Sequence, residues 1–96
     1  MTTPPRPLPT GVAAELRRVT DRWRTLPVAE AGRRTATVRT LLDELAVATA
    51  PHAGPVPDLG PAALPDQLAV LVYDAAAAGE DPQRLEARLA DLRRAL

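Results

Sequence analysis

From Pro65 to Ala78 the chain runs LPDQLAVLVYDAAAAG with its flanks, and on a helical wheel this stretch has almost no water-facing side. At 100° per residue Leu68, Leu71, Val72, Ala75 and Ala76 share one face, while Val70, Tyr73 and Ala77 fall roughly opposite them. Only Asp66, Gln67 and Asp74 are polar. A helix apolar all round needs burial on two sides, so this segment is expected to organise the fold and to leave Val70, Tyr73 and Ala77 in search of a second cover.

Three more amphipathic segments surround it. Val12, Leu16, Val19, Trp23 and Leu26 recur at alternating steps of four and three, which predicts a helix over 11–26 with Thr10 as its cap. Glu15 to Arg18 and Arg17 to Asp21 are the ion pairs expected on its wet side. Leu26-Pro27 stops that helix, because proline disfavours the helical conformation before it, and Pro27 suits the first turn of the next. The second helix is expected over 27–49, carrying Ala31, Thr35, Val38, Leu41, Leu42 and Leu45, with Gly32 as the place where it can break. Arg34, one turn after Glu30, reads as a stem laid on apolar surface with a paired head.

Pro51, Pro55, Pro57 and Pro61, with Gly54 and Gly60, make 50–61 a long loop, from which Val56 and Leu59 are expected to tuck back on the core. A short turn leads into the apolar helix, predicted over 64–78, which Pro65 and Asp66 open and Gly79 closes. Asp81-Pro82 then starts a fourth helix over 82–96, where Leu85, Leu89, Leu92 and Leu96 form a narrow seam. The fold class that follows is all-α. It is a small antiparallel four-helix bundle with a proline-rich N-terminal arm at 1–9, a helical domain at 10–96 and the long proline-rich loop between helices 2 and 3. The expected core is Leu16, Val19, Trp23, Val38, Leu41, Leu42, Leu45, Leu68, Leu71, Val72, Leu85, Leu89 and Leu92.

Composition narrows the picture. Ninety-six residues suffice for one modest core, and that core is Leu, Val and Ala, since the chain has no Phe or Ile and only one Trp and one Tyr. All twelve basic residues are Arg, and Lys, Asn, Ser and Cys are missing, a usage that matches a GC-rich bacterial genome. Their absence excludes Ser, Cys and Lys nucleophiles, thiolate metal sites and disulfides. No signal peptide pattern opens the sequence and no apolar run reaches the length of a membrane span, so a cytoplasmic protein without membrane contact is expected. His52 stands alone in the proline loop without a second ligand at metal-binding spacing.

Net charge is zero but unevenly spread. Residues 1–42 hold eight Arg against three acids, residues 43–81 seven acids and no base, and residues 82–96 four Arg against two acids. The simplest expectation pairs the basic first half with the acidic middle. Arg17 and Arg24 lie on one flank of the first helix and Arg18 and Arg22 on the other, which argues against a single nucleic-acid face. The adjacent acids Asp43-Glu44 and Glu80-Asp81 do not oppose each other as a catalytic pair must, and no phosphate loop or metal motif occurs. The reading is a non-enzymatic interaction or assembly module with no catalytic residue, metal or cofactor. It is expected to self-associate as a homodimer through Val70, Tyr73 and Ala77, the alternative being that the proline arm or loop folds over that face within the chain, and its proline arm is a second place for a protein partner. The competing classes are an Arg-rich nucleic-acid-binding regulator and a bundle holding a small apolar ligand.

Overall fold

A computed structural model describes residues 7–96. The described chain is helical without strands: α1 (Thr10–Thr25), α2 (Val28–Thr49), a single 3-10 turn (Pro61–Ala63), α3 (Leu64–Ala77) and α4 (Pro82–Ala95). The first six residues of the proposed arm lie outside the described residues.

Two prolines start helices differently from expectation. Thr10 is the first helical residue of α1 and caps nothing; Pro9, at φ −51° and ψ 144°, turns the chain in, and its carbonyl accepts from Ala13 N at 2.9 Å. Pro27 does the same for α2 from the capping position, at φ −56° and ψ 149°, accepting from Ala31 N at 2.9 Å. In both places the fixed proline φ sets the entry angle, and no side-chain hydrogen bond is made. Gly32 does not break α2; it lies exposed on an uninterrupted helix. The end of α3 follows the sequence closely. Gly79 takes φ +89°, Gly79 N donates to Ala76 O and Glu80 N to Ala75 O, both at 3.1 Å, which closes the helix in a Schellman motif. The Asp81 carboxylate then accepts from Gln83 N at 2.9 Å and caps α4, with Pro82 in the first turn.

α1 packs chiefly on α4 and α2 chiefly on α3, and the two pairs share one core. Val12, Leu42, Leu64, Leu68, Val72 and Leu89 are its most enclosed members. Every expected core residue is buried except Leu71, which is half-buried. The buried arc of α3 runs through Leu64, Leu68, Val72 and Ala75, and Leu71 lies at its edge. Val56 packs against the core as expected, whereas Leu59 stays 64% exposed. The loop is drawn in at Val56 and released before Gly60, whose φ of +89° redirects the chain into the 3-10 turn. There Trp23 Nε1 donates to Pro61 O at 3.1 Å, tying the end of α1 to the start of α3. No described helix is long and apolar enough to cross a membrane.

Candidate interaction surface

The sequence places the site on the outer face of α3, which is exposed among the described residues. Val70 is 59% and Tyr73 38% exposed, and Ala77 is exposed beside them. Helical spacing puts the three within about 60° of one another, pointing away from the buried arc. Among the described residues, Pro7, Pro9 and the loop flank this face. On one side Val70 and Leu71 join the loop at Ala53, Pro55 and Val56 and the end of α2 at Ala46 and Ala50 around a groove of about 460 Å³. On the other side Tyr73, Ala76 and Ala77 face Pro7, Pro9, Pro82 and Leu85 across a groove of about 270 Å³. Asp74 lies on both linings, so it forms the ridge between them.

The loop wall of the larger groove is held by two side chains whose role the sequence did not reveal. Arg39 Nη2 donates to Val56 O at 3.0 Å and Arg39 lies 4.0 Å from Asp58; Gln67 Nε2 donates to Pro57 O at 2.9 Å. Both partners are backbone carbonyls in an irregular segment, which periodicity does not place. Gln67 Oε1, enclosed in the same place, accepts no hydrogen bond among the described residues. His52 lies exposed in the loop, and no group of three His, Cys, Asp or Glu side chains gathers as a metal site among the described residues.

The charges pair in another pattern than expected. Among the described residues only Arg39 and Asp58 join the basic first half to the acidic middle. The principal long-range pairs instead use α4: Arg88 binds Glu44 on α2, and Arg93 Nε binds Glu15 on α1 at 2.9 Å. The expected Arg17–Asp21 pair does not form among the described residues, while Glu15–Arg18 does, at 2.8 Å. Arg34 reaches Glu30 at 3.6 Å as expected, with its side chain 46% exposed.

Glu15 is the correction with most consequence. It was assigned to the wet side of α1, yet it is buried, 6% exposed, beneath the guanidiniums of Arg18 and Arg93. The wheel contains the signal: Glu15 is three residues from Val12 and four from Val19, inside the apolar stripe. The Arg93 hydrogen bond above all, helped by Arg18 and opposed by burial, holds its carboxyl below the ordinary value of 4.5, and Glu15 in turn raises Arg93. A carboxylate whose folded value is depressed contributes stability that is present above pH 4.5 and lost as pH falls through the folded value. Urea midpoints are therefore expected to drop as pH is lowered below 4.5, and Glu15→Gln to flatten that slope. Glu30, lowered mainly by Arg33, adds a decline of the same sign. An unchanged slope in Glu15→Gln contradicts this assignment.

No protein-family model matches the chain, and neither curated proteins nor solved structures give a match.

Proposed function

We propose that this chain is a small non-enzymatic helical interaction module of the cytoplasm that associates with a second copy of itself through the outer face of α3. We read its architecture as an antiparallel four-helix bundle over 10–96 with the arm at 1–9. The short connections at 26–27 and 78–81 support antiparallel neighbours, since neither leaves room for a crossover. The observation that carries the function is the exposed apolar face of Val70, Tyr73 and Ala77 on a helix whose other side is the core. A two-fold contact suits it: the alanine lets helices approach closely, and Tyr73 buries its ring while its hydroxyl stays wet.

Size limits the strength of that contact. α3 has 14 residues, so it is about 21 Å long and, at about 10 Å width, offers a footprint well under the ~800 Å² per partner of a standard interface. The smaller groove beside Tyr73 and Ala77 enlarges the contact, and a dissociation constant in the micromolar range or above is the expectation for a small interface of this kind. The nucleic-acid reading has less support, because most arginines are engaged. Among the described residues only Arg17, Arg24 and Arg84 make neither an ion pair nor a side-chain hydrogen bond, and two of them are on α1 and one on α4. Sedimentation of the wild type across the micromolar range is expected to show a mass rising with concentration toward two chains. A clean monomer without concentration dependence contradicts the reading.

A further inference from the structure

The larger groove combines an apolar floor with acidic side chains and no base, and this chemistry defines an occupant. Its floor is apolar, with Ala50, Val56, Val70 and Leu71, and the charged residues on its lining are Asp66 and Asp74. It is built entirely from residues between 46 and 74, inside the stretch that has seven acids and no base. Neither aspartate makes an ion pair among the described residues. We propose that this groove docks a cationic amphipathic helix of another protein, with apolar side chains over Val70 and Leu71 and two Arg or Lys side chains on Asp66 and Asp74.

The spacing fits such an occupant. Asp66 and Asp74 are eight residues apart on α3, about 12 Å along its axis, close to the roughly 10.5 Å rise between positions seven apart on a second helix. A helix laid alongside with bases at i and i+7 brings both charges over the carboxylates and places its i+3 and i+4 side chains between them, over Val70. The volume of about 460 Å³ is enough for a few aliphatic side chains. Acidic rims against basic partners also set the choice of partner more than the strength of binding, so the match selects a charge class.

The test uses the full chain carrying Tyr73→Arg, which leaves this groove's lining intact and removes the contact proposed between copies, so the two ideas fail separately. The probe is a fluorescent Leu/Ala helix peptide with arginines two turns apart, read by anisotropy. Saturable binding is expected. Asp66→Asn with Asp74→Asn weakens it by about threefold to tenfold, the range for two solvent-exposed pairs, and added salt weakens it in the same direction. The peptide with glutamates for arginines, and the one with glutamines for leucines, are expected not to bind. Equal binding of the glutamate peptide, unchanged affinity after removal of the two aspartates, or no saturable binding each overturn the proposal. So does binding by the Tyr73→Arg chain that is lost in the wild type as its concentration rises, since that makes a second copy the groove's occupant.

Discussion

Leu68→Ala is expected to cost about 2–5 kcal/mol of unfolding free energy, the range for removing an enclosed leucine. Leu68 is 1% exposed and stands on the inner face of α3, among Val19, Trp23, Val38 and Leu64. The space left between these side chains is only about 10 Å³, so the wild-type packing is close, and the truncation opens an apolar cavity that the surrounding helices fill only in part. At about 0.05–0.15 kcal/mol per residue a chain of this length has roughly 5–14 kcal/mol to lose, so a single methyl-bearing side chain removes a large share. The melting temperature should fall by at least about 10 °C. Val28→Ala is the control: at 91% exposure its truncation should stay within about 0.5 kcal/mol. If Leu68→Ala and Val28→Ala unfold at similar urea concentrations, α3 is not the element around which the core is built.

Tyr73→Arg is expected to weaken self-association by at least about tenfold while leaving the fold intact, because an aromatic ring at the centre of a small interface supplies much of its energy and an arginine there must be desolvated beside its own symmetry mate. Tyr73 is 38% exposed and makes no side-chain hydrogen bond among the described residues, so its replacement leaves no described polar group unpaired in the monomer. The helical circular-dichroism signal and urea midpoint of the variant, measured at a concentration where the wild type is monomeric, should match the wild type within about 0.5 kcal/mol. A variant that still associates like the wild type places the contact elsewhere.

The elements of this protein are legible in its sequence to within a residue or so because local chemistry ends each one. Pro27, Gly79 and Asp81-Pro82 act through their own φ angles and cap bonds, which need no tertiary partner. The apolar steps of α1, α2 and α4 name most of the core for the same reason. What the sequence did not convey depends on neighbours far along the chain. Glu15 looks like a solvated acid until Arg93, 78 residues later, is laid over it. Leu71 and Leu59 look like core until the direction of the loop is known, and that direction is set by Arg39 and Gln67 on backbone carbonyls. Thr10 has cap chemistry, but Pro9 had already fixed the turn into the helix. Of the candidate face, the helix and the side were legible in Val70, Tyr73 and Ala77; its division by Asp74 into two grooves was not, since the arm and loop that make the grooves have no periodicity.

The account turns on whether two α3 helices face each other, and a distance across the pair answers that. The chain has no cysteine, so a single Ala78→Cys carries one spin label at the exposed end of the face, without altering Val70, Tyr73 or Ala77. In a two-fold contact centred near Val70 and Tyr73 the label lies about 7 residues from the axis. The two labels should then be roughly 20 Å apart along the helices, which pack about 8–10 Å apart. Pulsed dipolar spectroscopy of the labelled wild-type background is expected to show that short distance as a single population that grows with concentration and disappears when Tyr73→Arg is added. A label at Val28→Cys, at the start of α2, should give a longer one. No dipolar coupling at position 78, or a short distance at position 28 in its place, contradicts the assignment of the outer face of α3 as the surface through which this protein acts.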